Sequence, residues 1–195
     1  MIPHHTVTKK TTKALSFLLN QKGDETMKDL MTDDDSIEWL GVRYKTILAK
    51  EDSGGAMSIV DSLSPVGSGP PRHVHHSEDE TFVIITGTCK VWIEGIETIA
   101  VAGESVFIPR GKEHTFKVIG DEPCRHLVIL TPGGFEGFFQ DMADGNCQIP
   151  EDMPAIEASA KTHNMTFTGP PLDSVSLYTS PSPRDGATSR MPSSA

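Results

Sequence analysis

At 195 residues the chain is long enough for one domain with a sizeable core and too short for several. Its 27 acidic against 17 basic side chains give a formal net charge of −10 without any basic block, which argues against nucleic acid as a partner. No apolar run approaches the roughly 20 residues of a membrane span, and three cysteines without CxxC spacing indicate neither a disulfide framework nor a zinc knuckle.

Residues 1–36 are polar and rich in threonine and lysine, ending in three consecutive aspartates, and are expected to form a poorly ordered lead. Met27 and Met31 are candidate starts of the natural chain, which would make the residues before them translated upstream sequence. The apolar run Ala14–Leu19 is shorter than a signal-peptide core and lacks a small-residue cleavage site, so a cytoplasmic location is the default expectation.

From residue 37 to 131 short β-rich segments alternate with glycine and proline: Ile37–Leu48, Ala56–Leu63, Thr81–Thr86, Lys90–Glu94, Glu97–Val101, Ser105–Pro109, His114–Ile119 and Arg125–Thr131. Strands of this length and spacing predict an all-β sandwich or barrel rather than a βαβ sheet. Phe82, Ile84, Trp92 and Phe107 are expected inside, as ordinary core more than as substrate contacts. Cys89 and Cys124 fall in β-patterned segments and read as small buried thiols; no role is assigned to them or to Cys147.

Two segments of this region carry chemistry. The first, Gly67 to Gly87, holds His73 and His75 two residues apart and Glu80 five further on. Side chains two apart on a strand share a face, spaced roughly 6.6 Å along it, so both imidazoles can lean on one ion. Glu80 is an odd number of residues from His75, but the polar stretch His76-Ser77-Glu78-Asp79 permits a bend that returns it inward. Glu78 and Asp79 themselves read as solvated turn residues, and His76 as a surface residue on the opposite face. The second segment, Gly103 to His114, brings a third imidazole after the Pro109-Arg110-Gly111 turn. His126 lies mid-strand, facing opposite to Leu127 and Ile129; a satisfied core or surface histidine is the ordinary reading, and the interior is the other. His4, His5 and His163 fall outside the barrel segments.

Residues 132–170 read as helical, with Phe135, Phe138 and Phe139 on one face of a helix over Gly134–Met142 and a second helix over Pro150–Asn164. Packing on the outside of the barrel, capping its mouth and joining a dimer are all open to them, and simple packing is the expected outcome. Residues 171–195 are expected to be a disordered tail. Residues 177–195 resemble the translation of sequencing-library adapter DNA, which would make them no part of the natural protein.

These two segments resemble the motifs of the cupin superfamily, G-x5-H-x-H-x3,4-E-x6-G and G-x5-P-x-G-x2-H-x3-N. Residues 67–87 match the first at every fixed position, and residues 103–114 match the second up to its last position, where Val118 replaces Asn. That Asn is not a ligand in the family pattern. The gap between the motifs, residues 88–102, is 15 residues long, at the short end of the family range. The resemblance spans residues 37–131 and implies a single cupin jelly-roll barrel followed by C-terminal helices. It implies His73, His75, Glu80 and His114 as ligands of one divalent ion, whether iron, manganese, nickel, cobalt, copper or zinc.

Three neutral imidazoles and one carboxylate leave such an ion a residual charge of about +1 and positions open for water, substrate or O2. That charge favours an anionic oxygen such as an enolate. Glu80 is also a candidate catalytic base, moving between ligation and proton acceptance. The small quercetin dioxygenase-like members of the superfamily imply a metal-dependent dioxygenase for a small enolate-forming or aromatic substrate. A non-redox isomerase or lyase, and a non-catalytic module binding small molecules, are the alternatives. A homodimer is common among similar proteins.

Overall fold

Every second residue turning inward is the pattern that builds the strands around the core, most regularly in Arg72–His75, Asp79–Thr86 and Cys124–Thr131 of the eleven strands among the described residues. The computed structural model describes residues 35–173; nearly all of the expected lead 1–36 and tail 171–195, with the start methionines and the adapter-like stretch, lies outside the described residues.

Ile37–Trp39 (β1) and Val42–Leu48 (β2) form an antiparallel hairpin where the sequence suggested a single strand. Leu40 and Gly41 take φ of 50° and 78°, the positive values of a two-residue hairpin turn that matches strand twist. One glycine was the only signal for it. The barrel continues through Ser58–Ser64 (β3), Arg72–His75 (β4), Asp79–Thr86 (β5), Thr88–Ile93 (β6) and Ile96–Val101 (β7). Ser105–Ile108 (β8), His114–Ile119 (β9) and Cys124–Thr131 (β10) complete it.

Glu136–Asp144 (α1) and Met153–Thr162 (α2) follow the barrel. The Glu136 side chain accepts hydrogen bonds from the Gly134 and Lys50 backbone N–H groups, both at 2.8 Å, fixing the start of α1 to the loop after β2. Proline in the first turn of α2 costs no hydrogen bond there. The helical region does not run to residue 170: Met165–Gly169 is an eleventh strand (β11) paired with β4. Its five residues alternate too briefly to outweigh the helix before them.

The strands form two antiparallel sheets, one ordered β1-β2-β3-β10-β5-β8 and the other β11-β4-β9-β6-β7. This is the all-β double sheet that the sequence predicted. Its core lies between the sheets. On β5 the inward residues are Glu80, Phe82 and Ile84, and on the adjoining β10 they are Cys124, His126, Val128 and Leu130. Each apolar side chain buried there contributes about 1.5–3 kcal/mol. Two expected core residues point the other way. Phe107 is 59% exposed because its neighbours Val106 and Ile108 take the inward positions of β8, and Trp92 lies outside between the buried Val91 and the half-buried Ile93, under the Arg72 guanidinium. Among the described residues no helix is long and apolar enough to cross a membrane.

Candidate metal centre

Strand alternation brings the two imidazoles of β4 to one point. His73 and His75 are the buried residues of a strand whose other two side chains face partly outward. His73 pairs directly across to His114, the first residue of β9, and their ring centroids are 4.3 Å apart. His75 lies 5.1 Å from His73 and 5.5 Å from His114 by the same measure. From the other sheet, Glu80 at the start of β5 accepts a hydrogen bond from His114 Nε2 to its Oε2 at 2.9 Å. One donor atom from each of the four residues lies within 4.8 Å of the other three.

The turn between them is clamped. Gly111, at φ 79°, donates its N–H to the His75 carbonyl at 2.7 Å, in a backbone conformation that a side chain would strain. Arg110 grips the Asp79 carboxylate with Nε at 3.1 Å and Nη2 at 2.8 Å, and its backbone N–H donates to the same group. The proline-glycine turn thereby fixes β9 to both β4 and the start of β5. Asp79 is pulled down to about 2 by these Arg110 contacts.

Whether the four residues suit a cation can be judged from their free nitrogens. His73 Nδ1 donates to the Pro71 carbonyl at 2.8 Å, which sets its tautomer and leaves the Nε2 lone pair for a ligand. His114 Nδ1 donates to the Lys112 carbonyl at 2.9 Å, and its Nε2 proton, now held on Glu80, would give way to a cation. His75 is 2% exposed and neither of its ring nitrogens has a hydrogen-bond partner. A buried imidazole left so costs about 1–3 kcal/mol unless something completes it. A cation among the four donors would complete it. The residues fit a divalent ion.

The electrostatics agree for His73, His75 and Glu80. Burial lowers His73 to about 3, with His114 and His75 adding to it, and lowers His75 to about 4 against the opposing Glu80 charge. Both rings therefore keep a lone pair at neutral pH. Burial pushes Glu80 upward, but the His114 hydrogen bond and the surrounding imidazoles outweigh it and hold the carboxyl at about 2. His114 moves the other way: burial opposes its proton, and the Glu80 carboxylate more than restores it.

Several neighbours were not foreseen. Glu78 is buried instead of solvated; its Oε2 has no hydrogen-bond partner and lies 3.8 Å from His75 Nδ1. The backward bend that returns Glu80 inward also tucks Glu78 under β4, which a polar run cannot reveal. Asp79 pairs with Arg110, and His76 is exposed as expected, hydrogen-bonding Thr166 at 2.9 Å. His126 is fully buried, lies 5.3 Å from the Phe82 ring and 5.2 Å from that of Phe116, and has an unpartnered Nδ1.

One cavity of about 70 Å³ runs from His73, His75 and Glu80 to His126. Its walls are aromatic: Phe82 and Phe116 from the barrel, Trp39 and Tyr44 from the first hairpin, and Phe135, Phe138 and Phe139 from the α1 region. Phe167 of β11 also lines it. The C-terminal segment thus caps the barrel mouth where simple outside packing was expected, and Phe135 sits 4.2 Å edge-on to His75. The 3- and 4-residue spacing of those phenylalanines showed an apolar face, but not what it faces.

Residues 62–130 match the family model described as Cupin domain. Over 101 residues the chain is 26% identical to quercetin 2,3-dioxygenase of Bacillus subtilis (strain 168), covering 52% of this chain and 30% of that one. It is 29% identical over 84 residues to mannose-1-phosphate guanylyltransferase of Escherichia coli (strain K12), covering 43% and 17% respectively. The chain thus spans less than a third of the length of either relative. Among solved structures, KdgF from Halomonas sp. superposes with a TM-score of 0.48 at 15% identity, over 53% of this chain and 92% of that one.

Proposed function

Since this chain carries a cupin domain, with a buried His/Glu cluster able to bind a metal ion, we propose that it is a metal-dependent dioxygenase acting on a small enolate-forming or aromatic substrate. The observation that carries the metal is His75, buried with both nitrogens unpartnered among three other donors. His73, His75, Glu80 and His114 hold the ion. Once bound, it supplies Lewis acidity toward an anionic oxygen and, if redox-active, electron exchange with O2. The likeness to quercetin 2,3-dioxygenase supports the reaction class. A second relative with an unrelated printed activity matches over a similar span, so the domain alone does not set the chemistry.

The residues define the rest of the reading. Glu80, held at about 2, is a permanent anion and a weak proton acceptor at neutral pH. Its role in this proposal is ligation, with proton removal confined to substrates that are already acidic. The aromatic walls exclude water and press a planar substrate toward the donors. At about 70 Å³, below the roughly 150 Å³ that holds a benzene ring, the cavity takes either substrate only by opening, and a small diketone or hydroxy-enone needs a lesser opening than a three-ring flavonol.

The test is elemental analysis of the protein as isolated, followed by O2 uptake with small diketones and with flavonols. Iron, manganese, nickel, cobalt or copper at one ion per chain, with uptake on the small substrates, is the expected result. Zinc alone without O2 uptake would turn the reading to a non-redox isomerase or lyase.

A further inference from the structure

At the far end of the same interior lies a second group of reactive side chains. Cys89 is an inward residue of β6, in the five-stranded sheet, and Cys124 opens β10, in the six-stranded sheet. Their sulfurs are 3.1 Å apart, across the space between the sheets. His126, two residues along β10 on the same face, places a ring nitrogen within 4.8 Å of both sulfurs. All three are at most 1% exposed. His126 also lines the cavity, so it borders the sulfurs on one side and that space on the other.

This geometry discriminates between two uses of a Cys-Cys-His cluster. Two thiolates on one tetrahedral zinc, each about 2.3 Å from it, would lie about 3.8 Å apart. The observed 3.1 Å is shorter than that, and about 1 Å from the bonded separation of about 2.05 Å. The Cys89 S–H directed at Cys124, with His126 beside it, holds the Cys124 thiol below its ordinary range against the pull of burial. Its partner Cys89 is pushed upward by the same contact. Cys124 shares its strand and face with His126, which marks it as the attacking sulfur and Cys89, on the other sheet, as the resolving one. A cavity of about 70 Å³ admits molecules of the size of water or hydrogen peroxide up to His126.

We propose that Cys89 and Cys124 are a peroxide-oxidisable dithiol whose disulfide staples the two sheets together, with His126 accepting the proton of the attacking thiol. Cys124 gives its proton to His126 and attacks one peroxide oxygen. The O–O bond breaks, water departs carrying that proton, and Cys124 is left as a sulfenic acid. The Cys89 sulfur then attacks the Cys124 sulfur; the S–O bond breaks, the S–S bond forms, and the Cys89 proton leaves in a second water. Two thiols thus lose two electrons and two protons to one peroxide. The bridge would close a loop over the 34 residues between the two cysteines, a length at which cross-links stabilise appreciably.

The full chain, reduced and then given one equivalent of hydrogen peroxide, is denatured, alkylated and digested for mass spectrometry. A linked pair of peptides containing Cys89 and Cys124, two mass units below the reduced pair, is expected, with Cys147 alkylated. Tm should rise by roughly 5–10 °C and return on reduction. Cys147→Ser should oxidise like the parent chain. His126→Asn should reach the same product at least tenfold more slowly; an unchanged rate removes His126 from the reaction. Free, alkylatable Cys89 and Cys124 after excess peroxide would overturn the proposal, as would a bridge through Cys147 or a zinc ion that blocks both thiols.

Discussion

The two ends of the barrel interior each bury reactive side chains and treat them in opposite ways. At the mouth, four donors converge on one point, with His114 hydrogen-bonded to Glu80 and both nitrogens of His75 left without a partner. At the closed end, around Ile84, Val91 and Val118, side chains pack against one another and two sulfurs fall into direct contact. The difference teaches where stability is made and where it is given up. The closed end lowers the free energy of the fold by exclusion of water, while the mouth carries unsatisfied groups that only a ligand completes.

That contrast predicts effects of different size and sign. Ile84→Ala, at the closed end, should lose about 2–5 kcal/mol in urea denaturation, metal or no metal. His114→Ala should weaken metal binding by about 3 kcal/mol, over a hundredfold, roughly a quarter of a four-ligand site; competition with a chromogenic chelator measures it, and unchanged affinity would break the assignment. His75→Leu, in chelator-treated protein, should raise stability by about 1–2 kcal/mol, because two orphaned nitrogens leave the interior. A loss there would mean that the mouth is packed like the closed end. Arg110→Ala should lower metal affinity by about tenfold, since the clamp on Asp79 orients ligands without touching the ion. The smallest effect concerns Glu136. Burial would raise its carboxyl, but the nearby Ser58 hydroxyl dipole and the hydrogen bonds from the Lys50 and Gly134 N–H groups outweigh it and lower it. A depressed carboxyl adds stability above its unfolded value, about 4.3, and loses it as pH falls through the folded one. Glu136→Gln should therefore flatten the fall in stability between pH 5 and pH 3 by up to about 1 kcal/mol.

The mouth was legible in the sequence and the closed end was not, for one reason. His73, His75 and Glu80 fall within eight residues, and His114 follows a turn with its own proline and glycine, so spacing alone brings them together. Cys89 and Cys124 are 35 apart on strands of different sheets, and nothing in their local sequence says that they meet. Orientation was harder than existence. The strands of Trp92 and Phe107 were expected, but a one-residue error in alternation sends a ring from core to solvent. The aromatic cap suffered from the same limit: a helix face shows that something is covered, never what.

The late return of β11 has a further consequence. It is the outermost strand of its sheet, hydrogen-bonded along β4, the strand that carries His73 and His75. Cut away, it would leave β4 with a bare row of N–H and C=O groups, an invitation to intermolecular polymerisation. A recombinant fragment trimmed to the matched span 62–130 would therefore be prone to clump through the very strand that bears two of its histidines. Five residues near the end of the described chain act as a guard rail for the first half of the cluster.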